Sequence, residues 1–249
     1  EPRPRGLITR LRPWLQAGVF VLALVFLGAL IATQWNQLQA YPWQIEIGWL
    51  LLALVLLWLT WLLELNQWRF ILGRLGGSLR YGEAARIWFL SNIIRYIPGN
   101  VWQFLGRREM TAQHGIPRTV TFTSIALHQA ISTLAGLLLA AVYFALAGHS
   151  AWFDRLRLAL WLAPLGLIFL HPRVLETTLN RVLTWLKRPP LRITLTVADL
   201  VRLLLAYGLV WLGFGLGFSA LVRGLAPVAW TQAPWLIASY AAAYVLGYL

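Results

Sequence analysis

The feature that most constrains this chain is the apolar stretch 86–108, which carries a charged residue near its middle. It reads RIWFLSNIIRYIPGNVWQFLGRR, with Arg95 near the centre and Pro98-Gly99 shortly after it. A proline disfavours helical backbone for the residue before it, so one helix is expected to end just ahead of this turn. Asn100 is then placed to cap a second helix. The stretch therefore predicts a broken helix pair.

The length and flanks of this pair favour a re-entrant hairpin. Each half is about a dozen residues, or roughly 16–18 Å, which is about half of a bilayer. Since cationic loops stay on the cytoplasmic side, both ends are expected on that side. Broken backbone at membrane depth survives only beside protein or a water-filled cavity, so we expect the hairpin to line a cavity. The flanking basic residues are Arg69, Arg74, Arg80 and Arg86 before the turn, and Arg107, Arg108 and Arg118 after it.

Composition points to one integral membrane domain over residues 1–249. The chain is 59% hydrophobic and 12% charged, about half the charge of a soluble domain. A net charge of +13 would indicate nucleic acid in a soluble protein, but the positive-inside rule explains it here, and no nucleic-acid partner is expected. The absence of cysteine excludes disulfides and thiolate chemistry.

The apolar runs predict an all-α polytopic protein with about six transmembrane helices and an amino terminus in the cytoplasm. Residues 34–46 form an outer loop, and the basic stretch 171–199 forms a cytoplasmic loop with an interfacial helix over 174–186. The last run has fifteen residues, fewer than the usual 20 or so, and is expected to continue past Leu249. The expected spans are Trp14–Thr33, Ile47–Leu63, Val120–Leu146, Leu158–Leu170, Leu200–Leu221 and Trp235–Leu249.

One span carries a polar stripe. Thr121, Ser124, His128 and Ser132 recur at helical spacing and share a face, with Gln129 beside it. His128 is a candidate proton relay or headgroup contact. The alternative is a buried histidine that bonds to a neighbouring helix.

Arg95 is the first candidate for binding a ligand. A charge at membrane depth is costly and faces a cavity or a partner. One interpretation is a ligand for a lipid phosphate, which arginine binds in bidentate fashion. The other is snorkelling or an internal ion pair with Glu64 or Glu109. Glu64 is itself a candidate site for a coupling proton, or an interfacial acid at the end of a span.

The second half of the hairpin adds a polar face. Asn100, Gln103 and Arg107 are three and four residues apart, and they predict a cavity wall that binds a lipid headgroup. The alternative is a helix cap and an interfacial arginine. Arg86 and Arg108 are interpreted as interfacial anchors. In the last long span, Gly213 and Gly217 form a GxxxG pair that allows close helix packing.

The run RYIPGNVWQ, followed by Gly106-Arg107, resembles a hallmark of one family. It is similar to the lysylphosphatidylglycerol synthase transmembrane-domain family, also called flippase-like, which includes the membrane part of bacterial multiple peptide resistance factors. His171-Pro172 and the final AYVLGYL are also similar, and the resemblance extends from about Trp49 to the end. It implies two re-entrant elements around a lipid-accessible cavity, the second beyond Leu249. Asn100 stands where many relatives have glycine.

The resemblance implies a lipid translocase of a bacterial or archaeal cytoplasmic membrane. The expected substrates are anionic or aminoacylated phospholipids or polyprenyl-phosphate-linked lipids. The alternatives are a non-transporting accessory subunit of a lipid or envelope synthase, and a membrane-embedded transferase. Without a phosphate-binding loop or a metal-ligand cluster, we expect no enzyme, no metal and no cofactor. Expected partners are membrane lipids, with a second copy or a lipid synthase as further possibilities.

Overall fold

All regular structure in the described part of the chain is helical. The computed structural model describes residues 18, 21–22, 24–41, 43, 45–94, 102–147, 171–185, 187, 190–191 and 193–248. Those residues contain no strand, as the predicted all-α class requires. The helices are α1 (Leu24–Thr33), α2 (Trp35–Ala40), α3 (Ile47–Arg74), α4 (Tyr81–Ile94), α5 (Trp102–Ala112), α6 (Arg118–Ala147), α7 (Pro172–Trp185), α8 (Val197–Leu225) and α9 (Ala233–Tyr248), with a short 3-10 helix at Trp230–Gln232.

Three of these helices are long and apolar enough to cross a membrane. They are α3, the stretch Arg118–Phe144 of α6, and α8. Each is about 40 Å long, which exceeds the hydrocarbon core of roughly 30 Å. Of the other expected spans, Trp14–Thr33 is described only in part, Leu158–Leu170 lies outside the described residues, and the last coincides with α9. Six spans therefore remain a prediction.

Helix α3 is longer than the sequence suggested. The span was expected to end at Leu63, because Glu64 and the polar residues after it look like a membrane boundary. Glutamate, leucine and glutamine are good helix formers, however, and the next turns bury Leu65 and Trp68 in the core. The helix therefore runs on to Arg74. Glu64 lies inside the helix rather than at its end.

A glycine turn ends α3 and ties it to α8. Gly76 has a positive φ of 86°, and the Gly77 amide donates to the Leu72 carbonyl at 2.9 Å, which is a Schellman cap. Next to this cap, Arg74 Nη2 lies 2.7 Å from Asp199 Oδ1 in the first turn of α8. The carboxyl end of α3 and the amino end of α8 therefore lie together.

The long helices pack through small residues. On α8, Gly213 faces Thr60 and Gly217 faces Leu57, both on α3. The predicted close packing at this GxxxG pair is thus confirmed. Gly215, between them, instead faces α9. One helix therefore presents glycines to two neighbours.

The ends of this bundle differ in charge. Basic side chains gather where α3 ends and where α6 and α8 begin. At the opposite end, Arg223 lies 4.7 Å from the ring centre of Trp49, and Trp49 stacks on Trp230. The residues of the basic end are Arg69, Arg74, Arg118 and Arg202.

Helix α7 corresponds to the interfacial helix predicted within the 171–199 loop. It spans Pro172–Trp185, close to the predicted bounds. Asn180 holds the chain that follows it, because its side chain donates to the Leu191 carbonyl at 3.1 Å and accepts from the Leu191 amide at 2.9 Å.

Candidate functional site

Helices α4 and α5 are the two halves of the pair predicted over 86–108, with wider bounds. Helix α4 already begins at Tyr81, and α5 continues to Ala112. The extra residues come from the polar flanks of the predicted stretch. The turn itself lies outside the described residues, together with four predicted site residues: Arg95, Pro98, Gly99 and Asn100.

Two contacts show that α4 and α5 run antiparallel. Near the start of α4, Glu83 lies within 4.0 Å of His114, just beyond the end of α5. Further along, Arg107 of α5 donates from Nε to Ser91 Oγ of α4 at 3.0 Å. The two helices therefore form a hairpin-like pair against the long helices.

A cavity of about 460 Å³ lies beside this pair, between α3, α4, α5, α6, α8 and α9. That volume suits a small ligand or a lipid headgroup. Its walls are aromatic, and polar side chains from four helices converge on it. Those polar residues include Glu64, Asn92, Gln103, Arg107, His128 and Gln129.

Arg107 is the buried cation of this cavity, with 5% of its surface exposed. Its guanidinium carbon lies 4.0 Å from the ring centre of Trp88 and 5.1 Å from that of Trp68. Besides its bond to Ser91, it donates from Nη2 to Asn92 Oδ1 at 3.4 Å. Cation–π contacts and hydrogen bonds hold the side chain in the cavity wall. Arg107 therefore lines the cavity from a buried position.

Glu64 and His128 meet in the wall of the same cavity. His128 Nε2 lies 3.5 Å from Glu64 Oε1, and its Nδ1 forms a short hydrogen bond with the Tyr207 hydroxyl. His128 thus bonds to a neighbouring helix and also lines the cavity; its role as a proton relay or headgroup contact stays a prediction. Glu64 lines the cavity as well.

The four residues of the polar stripe of α6 are all buried, and two of them form hydrogen bonds to neighbouring helices away from the cavity. Thr121 shares a hydrogen bond of 2.7 Å with Thr111 of α5. Ser124 accepts from the Trp68 indole at 3.1 Å. Of the four stripe residues, only His128 and Ser132 line the cavity.

The two predicted amide residues also reach the cavity. Gln103 lies one turn before Arg107 on α5 and is buried. Gln129 is half-buried on α6 and donates to Thr133 Oγ1 at 3.2 Å. Both line the cavity, so the structure brings Gln103, Arg107 and Gln129 to the same cavity.

Sequence reasoning missed the α4 side of the site. Trp88, Ser91 and Asn92 are three and four residues apart and therefore share one helix face. Ser91 and Trp88 contact Arg107, and Asn92 accepts its longer hydrogen bond. The spacing was a usable signal, but the partner on α5 is sixteen residues away and could not be identified from it.

Acids outside the cavity pair with arginines at the surface. Glu109 accepts from Arg118 at 2.8 Å and from Arg108 at 2.7 Å. These hydrogen bonds, with that from Arg118 contributing most, lower the pKa of Glu109 below its usual 4.5. Arg108 therefore pairs with an acid rather than acting only as an anchor, while Arg86 is exposed as expected for one.

Within the described residues, no three histidine, aspartate or glutamate side chains come close enough together to hold a metal ion. The cavity thus offers charge, hydrogen bonds and aromatic surface. No family model, curated protein or solved structure matches this chain.

Proposed function

We propose that this protein is a lipid translocase that moves a phosphate-bearing lipid across a cytoplasmic membrane. The observation that carries the proposal is a buried arginine in a cavity with an exposed aromatic mouth. The substrate class is an anionic or aminoacylated phospholipid, or a polyprenyl-phosphate-linked lipid. We also propose membership of the flippase-like family that the sequence resembles, on the run from Arg95 to Arg107.

The mouth of the cavity supports lateral access from lipid. Trp58, Trp61 and Ile93 line the cavity and are 53%, 40% and 65% exposed. Large apolar side chains exposed on a helix of spanning length are suited to face hydrocarbon. A headgroup entering between α3 and α4 reaches the polar wall while its acyl chains remain outside.

The polar wall suits a phosphate, with room for a cation beside it. Arg107 provides a positive charge whose fork geometry matches a phosphate. Glu64 and the surrounding aromatic rings suit an ammonium group, through charge and cation–π attraction. An anionic phospholipid would place its phosphate at Arg107. An aminoacylated phospholipid would also place its ammonium group at Glu64.

The uneven distribution of charge between the two ends of the bundle supports an orientation in the membrane. The end with Arg69, Arg74, Arg118 and Arg202 faces the cytoplasm in this proposal, following the positive-inside rule. Helix α3 ends there, so its amino end is outside, and one preceding span would return the amino terminus to the cytoplasm.

The test is lipid movement in liposomes that contain the chain, fluorescent phosphatidylglycerol and a fluorescent neutral lipid as control. An external quencher measures how fast inner-leaflet label reaches the outside. We expect fast loss of the anionic label, slowed about tenfold to a hundredfold in Arg107→Gln, since a charged hydrogen bond contributes about 1.5–3 kcal/mol.

Arg86→Gln is the matched control, because it removes an exposed arginine from α4 and should leave the rate unchanged. Arg107→Lys keeps the charge but loses the fork, and an intermediate rate is expected. If the anionic label is lost no faster than in liposomes without protein, the chain does not transport phosphatidylglycerol. That result favours a polyprenyl-phosphate substrate or the accessory role.

The Glu64–His128 pair favours a second candidate, a membrane-embedded transferase. A carboxylate 3.5 Å from an imidazole is an arrangement used in general acid–base catalysis. A transferase would form a new lipid product, detected by mass spectrometry, and Glu64→Gln would abolish it. Label movement without any product favours the translocase.

A further inference from the structure

A second cavity, of about 620 Å³, lies at the basic end of the bundle. It is formed by the last turns of α3, the loop after it, and the start of α8. Three arginines line it: Arg69, Arg74 and Arg202. We call it the arginine groove.

The groove is separate from the cavity of about 460 Å³ that contains Arg107, which we call the aromatic cavity. On α3 it is lined by Leu63, Asn66 and Phe70, which are three and four residues apart and share one face. The aromatic cavity is lined by Trp61 and Glu64, which point to a different side of the helix. A ligand in one cavity therefore does not occupy the other.

The arginines are held in place by neutral groups and one acid. Arg69 Nε donates to the Leu79 carbonyl at 3.0 Å. Arg74 and Arg202 lie over the Phe70 ring, at 5.1 and 4.5 Å from its centre. These contacts orient three positive charges around one space.

The charge in the groove is unbalanced. Asp199 pairs with Arg74, but within the described residues no acid lies within ion-pair distance of Arg69 or Arg202. Gathering like charges is unfavourable unless an anion offsets them. The groove thus favours an anionic ligand.

The surroundings identify a lipid rather than a soluble anion. Arg202 sits on α8 beside Val201 and Leu205, which are 51% and 68% exposed. An arginine between exposed apolar residues near the end of a spanning helix lies where headgroups are. Anionic lipids are concentrated at the cytoplasmic surface, which the basic end faces in the orientation proposed above.

We propose that the arginine groove is a binding site for the headgroup of an anionic phospholipid from the leaflet at the basic end. Arg69 and Arg202 contact the phosphate, and acyl chains lie along the exposed apolar face of α8. The site is distinct from the translocation cavity and does not depend on that assignment.

The test is titration of the purified chain, in neutral detergent, with phosphatidylglycerol and separately with phosphatidylcholine. Native mass spectrometry reads the number of lipids bound. We expect Arg202→Gln to weaken phosphatidylglycerol binding about fivefold. The double variant Arg69→Gln/Arg202→Gln should weaken it about 25-fold, because each interfacial arginine raises the affinity about fivefold. Phosphatidylcholine binding should not change.

Arg86→Gln is the control for loss of an exposed arginine, and thermal unfolding checks that each variant folds. Equal phosphatidylglycerol affinity in wild type and Arg202→Gln overturns the proposal. So does displacement of the lipid by inorganic phosphate at similar concentration, which would indicate a free-phosphate site. The rate of lipid movement in liposomes is measured separately for Arg202→Gln. A failure of the transport assay therefore does not decide whether the arginine groove binds phosphatidylglycerol.

Discussion

The packing of α8 against α9 predicts a sharp difference between two glycine-to-alanine changes on the same helix. In Gly215→Ala, the new Cβ would lie 2.8 Å from Ile237 Cα and 2.7 Å from its Cγ2. In Gly208→Ala, nothing lies within 4 Å of the new Cβ. The second change is therefore a matched control for the first.

The magnitude follows from the contact distances. Carbon atoms in ordinary contact are about 3.5–4.0 Å apart. The Ile237 side chain can rotate, but its backbone cannot, so α8 and α9 must separate by about 1 Å. Overpacking of this kind costs about 1–3 kcal/mol. Alanine gains about 1 kcal/mol of helix propensity over glycine at both sites, and this gain cancels in the comparison.

Gly208→Ala should therefore match or exceed wild-type stability, with Gly215→Ala about 1–3 kcal/mol less stable than Gly208→Ala. The assay is reversible unfolding in mixed micelles of increasing sodium dodecyl sulfate, followed by tryptophan fluorescence. Coincident unfolding curves for the two variants would refute the close approach of α8 and α9.

Two further predictions concern the ends of helices. Thr196→Ala removes the cap of α8, in which Thr196 and Asp199 bond reciprocally, and should cost about 1 kcal/mol in the same unfolding assay. Equal stability would show that the cap contributes nothing. Glu109, whose pKa is lowered by Arg118 and Arg108, should stabilise the fold above its ordinary pKa of 4.5 and lose that contribution as the pH falls through its folded pKa. Glu109→Gln should thus be less stable than wild type at pH 6, by a difference that shrinks as the pH falls below 4.5, and a difference that does not change with pH would contradict this assignment.

The long helices and their polar stripe could be predicted from local pattern. Apolar length predicted α3, α6 and α8, and three- and four-residue spacing placed His128 on a buried face. Pro98 predicted a helix pair in place of one continuous helix, and α4 and α5 are two separate helices, although their depth in a membrane stays a prediction. These features depend on residues close together in the sequence.

The composition of the site depended on contacts between distant segments. The length of α3 was set by packing around Trp68 and by the glycine cap at its end, so Glu64 lies within the helix. The aromatic partners of Arg107 come from α3 and α4, and Tyr207 comes from α8. No local pattern pairs these residues, because burial in the assembled bundle decides which cation meets which ring.

The most direct test of the central claim is to block the aromatic cavity in a protein already shown to move lipid. The chain has no cysteine, so Gln129→Cys introduces one reactive thiol on the cavity wall, and Leu205→Cys introduces one on the exposed face of α8 as a control. Both are measured in the liposome assay before and after complete reaction with a maleimide. The account predicts that the label abolishes phosphatidylglycerol movement by Gln129→Cys and leaves Leu205→Cys unchanged. Undiminished movement by fully labelled Gln129→Cys would contradict it.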